Sequence, residues 1–142
     1  MSCRPCVWII AAVLLAAAGC SSPAVKEVDA GDPGALRKIA SAYGRATAKN
    51  DRPPTKPADL KPFLPDGEDV DQLLISPRDG QPYVIFWGFD SRPGKSGESP
   101  VVIGYEKAGK GGTRFVFLDM GVVSMTDAEF AKATFPPGRK PE

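Results

Sequence analysis

Residues 7–18 form an unbroken apolar run near the start of the chain, and beyond it the apolar positions settle into two different rhythms. The first is helical. Leu36, Ile39, Ala40, Tyr43 and Ala46 fall on one stripe of a helix over residues 33–49, with Asp32 placed to cap it and Pro33 at its first position. Asn50, Pro53 and Pro54 should stop that helix, and Gly44 inside it should cost about 1 kcal/mol relative to Ala unless it permits close backbone approach. A shorter helical turn is predicted over residues 57–61, with Leu60, Phe63 and Leu64 supplying apolar contacts before Pro65, Asp66 and Gly67 end it.

The second rhythm is that of strands. Leu73, Leu74 and Ile75 lead into a turn over residues 76–80, and then comes the β-favouring run 83–87. Its two sides, Tyr83, Ile85 and Trp87 against Val84 and Phe86, are both apolar, which predicts a central strand. Further strands are expected over residues 101–107, 114–119 and 122–125, the last two joined as a hairpin. Thr126 and Glu129 have capping-box spacing and open a short helix carrying Phe130 and Ala133, which Phe135 and Pro136 close. Residues 90–100 and 107–113, rich in Gly, Ser and Pro or in Gly alone, read as loops at sheet tips. The fold class predicted is α+β: an N-terminal helix packed on a four- to five-stranded antiparallel sheet, with a short C-terminal helix.

The apolar run itself predicts location. Arg4 precedes it, and Ala17, Ala18 and Gly19 lead directly to Cys20, the layout of a secretory signal peptide ending in a lipobox. Residues 1–19 would be removed and Cys20 diacylated, by palmitate-type chains, as the mature N-terminus. Ordinary secretion and an uncleaved anchor compete with this, but a span needs about 20 apolar residues and the run is shorter. The expected organisation is a signal peptide over 1–19, a lipid-anchored tether over 20–32, one domain over 33–135 and a mobile polar tail over 136–142. Ser21 after the cysteine, in place of Asp, favours an outer membrane where one exists. Cys3 and Cys6 would leave with the leader, so the head would fold without disulfides.

Charge and composition narrow the function further. The 18 Lys and Arg face 17 Asp and Glu, and losing Arg4 leaves 17 of each, so no electrostatic footprint for nucleic acid exists. There is no histidine. That excludes a Ser-His-Asp or Cys-His nucleophile and any His-ligated metal. Gly94, Lys95 and Ser96 imitate the end of a phosphate loop, but the spacing from Gly88 is one residue too long and no helix follows. Asp66, Glu68, Asp69 and Asp71 are hard oxygen ligands without EF-hand spacing, and read as a solvated loop. Glu98, Glu106, Asp119 and Glu129 are the carboxylates near strand ends, and no spacing unites two of them for glycoside hydrolysis. Asp79 before Gly80 is a turn residue. Trp87, Tyr105 and Phe117 are expected in the core, whereas Phe89 at a strand end could belong to core or surface.

Residues 36–43, the paired prolines 53 and 54, residues 59–64 and the sequence Pro77-Arg78-Asp79-Gly80-Gln81-Pro82-Tyr83 occur in a familiar order. This order resembles the globular part of type II secretion pseudopilins and bacterial prepilin-like proteins. There a helix reading Leu-Lys-x-Ile-x-x-Ala-Tyr precedes a Pro-x-x-Leu-x-x-Leu segment and a strand opening with Asp-x-x-Gly-x-Pro-Tyr. Residues 105–107, 114–119 and 126–130 fall where those proteins have a hairpin and a closing helix. The chain departs from them in lacking the long pilin helix with its Phe-Thr-Leu-Ile-Glu processing site, in lacking the histidine of their ending, and in reading Asp119-Met120-Gly121 where they have Asp-Gly. The resemblance implies a pilin-like head, without the helix on which filament assembly depends.

Together these readings predict a lipid-anchored extracytoplasmic protein without catalysis, cofactor or metal. It would contact the membrane through Cys20 and an envelope protein through its head, with Trp87, Phe89, Asp90, Arg92 and the 90–100 loop as the contact region. The competing function is a small-ligand or metal-binding lipoprotein.

Overall fold

The computed structural model describes residues 31–90, 92, 100–119 and 121–141. Helix α1, Gly34–Asn50, buries Leu36, Ile39, Ala42, Tyr43, Ala46 and Thr47 along the expected stripe. Its N-cap is Pro33, whose carbonyl accepts from the Arg37 N–H at 2.9 Å, and no side chain caps it. The expected Asp32 cap is therefore corrected: the helix starts one residue later, with Gly34 and not Pro33 in its first position. At the other end Asp51 adopts a left-handed φ of 51°, a common way to close a helix.

Next comes a 3-10 helix, Pro57–Phe63, begun by Pro57 and buried through Leu60. Pro62 inside it removes a backbone donor that an α-helix would need. The acidic stretch after it is not merely solvated. Asp69 caps a one-turn helix α2, Val70–Leu73, by accepting from the Asp71 N–H at 2.9 Å, and Glu68 pairs with Lys38 of α1. Val70 and Leu73 turn inward from that cap.

The sheet is antiparallel throughout, in the order β1-β2-β3-β4, with β1 at Val84–Ile85, β2 at Val102–Tyr105, β3 at Thr113–Leu118 and β4 at Gly121–Thr126. The last two form the expected hairpin, Leu118 opposite Gly121. The expected central strand over 83–87 is corrected: β1 is a two-residue edge. Its residues are apolar on both sides because both faces of the sheet are covered. Ile85 and Trp87 pack with the α1 core, which also holds Tyr83, Ile103, Phe115 and Phe117. Val84 and Phe86 pack on the other face with Val102, Tyr105, Val116 and Phe130. Gly104 eases the close pairing of β1 and β2, since a Cβ there would sit 3.0 Å from the Val84 carbonyl oxygen and would push the end of the Ile85 side chain aside.

The second face is closed by α3, Asp127–Phe130, and the residues after it. Thr126 and Glu129 form the capping box that their spacing predicts. Thr134 then bridges Val101 in parallel, its carbonyl accepting from the Val102 N–H at 2.8 Å. Phe135 meets Phe86, Tyr105 and Phe130 edge to face or nearly so, and Pro136 is buried behind it. Burial thus runs one residue into the stretch expected to be tail.

Candidate functional site

Trp87, Phe89, Asp90 and Arg92 come together at the C-terminal end of α1. The Trp87 ring stacks on Tyr43, centroids 6.1 Å apart and planes 28° from parallel, and is partly buried against the core as Phe89 is. The Tyr43 hydroxyl donates to the Phe89 carbonyl at 2.7 Å. Burial pushes that hydroxyl up to about 12 despite this bond. Aromatic contact and one buried hydroxyl thus fasten the chain beyond β1 to the helix.

Arg92 adds a charged fastening. Its Nε and Nη2 grip Asp90 at 2.9 and 2.6 Å, the paired geometry that a planar guanidinium favours. Nη1 reaches Asp51, the residue closing α1. Asp90 first and Asp51 second hold the guanidinium above its ordinary range. Of the 90–100 loop, residues 91 and 93–99 lie outside the described residues, as do Gly94, Lys95, Ser96 and Glu98.

Beside Arg92 a groove of about 500 Å³ runs between the outer side of α1 and the β3–β4 end of the sheet. Arg37, Ser41 and Gly44 form its helical wall, with Phe117, Asp119 and Val122 opposite. Close backbone approach at Gly44 is not seen among the described residues, where no atom from outside its own helical turn lies within 4 Å of where its Cβ would be. Asp119 Oδ1 is buried at the groove without a hydrogen-bond partner among the described residues. A volume of this size falls within the range of ligand clefts, and its mixed lining suits a side chain or small polar molecule.

A second polar constellation lies at the other end of the sheet. Glu106, wholly buried, accepts from the Ser76 hydroxyl at 2.8 Å and from the Phe115 N–H at 2.8 Å. Arg78 Nε stands 3.5 Å from Glu106 Oε2, an ion pair without hydrogen-bond alignment. Its Nη2 donates to the Lys110 and Thr113 carbonyls at 3.0 and 2.7 Å, and the guanidinium lies 4.5 Å over the Phe115 ring. Asp79 accepts from the N–H groups of Gln81, Ala108 and Gly109 at 2.9 to 3.0 Å. Burial pushes its carboxyl upward, but these backbone donors, with Ser76, carry it below the usual value.

Asp79 is thus a turn residue that also ties two loops together. The glycine-rich 107–113 loop, expected as a free tip, is pinned, and Gly109 is needed there because a Cβ would meet the Thr113 carbonyl oxygen at 2.4 Å. Sequence reading placed Glu106 among candidate carboxylates and missed its partners. The one available signal was a charged residue directly following the apolar strand residues 101–105.

In this constellation Glu106 is sealed from solvent and the buried Ser76 hydroxyl is committed to it. Glu129 is committed to its cap. Trp87 is half way between the two expected roles, while Tyr105 and Phe117 are core. Cys20 lies outside the described residues, and among those described no helix is long and apolar enough to cross a membrane. Comparison with protein-family models, with curated proteins and with solved structures returned no match.

Proposed function

We propose that this chain is a lipid-anchored extracytoplasmic protein whose pilin-like head docks an envelope protein of a secretion or pilus-like system without catalysis. Cleavage before Cys20 and acylation of its sulfur fix the head to a membrane, an outer one where present, through a tether over residues 20–32. The groove beside Arg92 carries the docking half of this reading: it lies next to the residues that the sequence marked, is bordered by Arg37 and Arg92, and holds a carboxylate oxygen that finds no partner among the described residues. The non-catalytic half is supported by the absence of histidine and by the structural employment of Glu106, Asp79 and Glu129.

Two experiments test it. Intact-mass analysis is expected to show residues 1–19 gone and lipid on Cys20, whereas a bare thiol or a retained Met1 would overturn the anchor. A photo-crosslinker at Ser41 on intact cells is expected to capture one defined protein. Gly44→Leu should abolish that capture by filling the groove, while leaving the head as stable as before or more so, because Leu favours helix over Gly by nearly 1 kcal/mol. Capture that survives Gly44→Leu would refute the groove. The same groove could instead hold a small ligand. A rise in melting temperature with one envelope sugar or metal ion, again lost in Gly44→Leu, would favour that reading.

A further inference from the structure

The two edges of the sheet are unlike. On the β1 side the neighbouring backbone is engaged, Tyr83 N–H with the Leu74 carbonyl and Gly88 N–H with the Pro54 carbonyl, both at 2.8 Å. The β4 side is six residues long, and Gly121 through Met125 present no charge. Such an edge lacks the lysines, prolines and bulges that usually keep strands apart.

Which of its groups are open follows from the ladder. The Phe115 carbonyl accepts from Glu106 N–H and the Phe115 N–H binds the Glu106 side chain, so Phe115 points its backbone toward β2. Alternation then directs Arg114, Val116 and Leu118 toward β4, where they face Met125, Val123 and Gly121. Val122, Ser124 and Thr126 must therefore direct their backbone groups outward. Glu129 already holds the Thr126 N–H at 2.8 Å, closing one end of the open stretch. Val122 and Ser124 remain, with no hydrogen-bond partner for their outward groups among the described residues. Between them Val123, 40% exposed, projects from the face opposite α1.

We propose that a second copy of this chain pairs here, β4 against β4 about a twofold axis through Val123. An axis perpendicular to the sheet keeps each face on its own side, so residues that oppose one another must be of like parity. Centring it on Val123 sets Val122 of each copy opposite Ser124 of the other, the two residues with open N–H and C=O groups. Val123 then faces Val123 at the short spacing of a non-hydrogen-bonded pair, which buries this exposed side chain on both copies. The chain's own β4 matches this stretch by symmetry, open groups against open groups, and residues 121–125 bring no charge to the contact. The contact is small, so the dimer forms at high local concentration.

Cysteine crosslinking tests the register. In full-length protein with Cys3, Cys6 and Cys20 all changed to Ser, so that neither native thiols nor the anchor contribute, Val123→Cys is expected to form an intermolecular disulfide at least about tenfold faster than Ser124→Cys, since only the former meets itself across the axis. Equal rates overturn the proposal. Sedimentation of the otherwise native chain under reducing conditions reads the same contact without a new thiol. A mass that rises with concentration and falls to the monomer in Val123→Lys supports it; a monomer at every concentration, or a dimer indifferent to Val123→Lys, sinks it.

Discussion

Two arginine-carboxylate contacts hold loops in this protein, and they do so in opposite surroundings. Arg78 pairs with Glu106 where their side chains are 7% and 0% exposed, while Arg92 grips Asp90 and Asp51 with 37%, 26% and 88% exposure. The buried contact sits in a set of bonds joining the 76–80 turn, the end of β2 and the 107–113 loop. Removing one member strands the others in a buried site. The exposed contact has better hydrogen-bond geometry, yet water can replace each of its partners. Depth, more than the closeness of the charges, decides which loop is indispensable.

The widest separation between the two should come from Glu106→Ala. It leaves the Arg78 charge, the Ser76 hydroxyl and the Phe115 N–H without their partner, and urea unfolding is expected to show a loss of about 3–5 kcal/mol. A loss no larger than that of an exposed pair would erase the distinction. Tyr43→Phe probes the buried part of the second fastening. Deleting the donor to the Phe89 carbonyl should cost about 1–2 kcal/mol and speed amide exchange near residues 88–90, with Arg92 untouched.

Smaller still, Arg92→Ala should cost about 1 kcal/mol or less, and the difference should shrink further in high salt. If it rivalled Glu106→Ala, the exposed clamp would have to be counted as a structural element of the head. The finest distinction is in pH. Asp79 titrates below its unfolded value, so its contribution is present above about pH 3.9 and is lost as pH falls through the lower folded value. Asp79→Asn should flatten that part of the acid unfolding curve. Tyr43 works in the reverse direction, its folded value of about 12 making stability decline as pH climbs beyond about 10. Tyr43→Phe should remove that alkaline decline.

Much of the framework was legible because period and composition agreed with burial. The stripe of Leu36, Ile39, Tyr43 and Ala46, the hairpin of β3 and β4, and the Thr126-Glu129 cap all follow from local rules that tertiary contacts reinforce. Apolar residues on both sides of 83–87 reported coverage of both faces correctly, and position in the sheet wrongly. An edge strand looks like a central one when a second layer, here α3 and Phe135, covers the far side. Asp69 was hidden by its acidic neighbours, since a cap and a solvated carboxylate have the same spelling. Glu106 was hidden for the opposite reason: one charged letter after a strand cannot declare that Ser76 and Arg78, some thirty residues earlier, fold back to meet it. At the groove, the sequence marked Arg92 as a contact and Asp119 only as a carboxylate near a strand end, and gave no sign of Arg37, because only the crossing of α1 over the sheet brings the three alongside.

The parallel bridge from Thr134 to Val101 has a consequence for the order in which the molecule is completed. A chain interrupted just after β4 would possess the four described strands and α1, yet Phe86, Tyr105 and Val116 would lie bare, because their lid is translated after them. Premature stops in that short interval should therefore yield sticky, aggregating products, even though they spare the groove entirely.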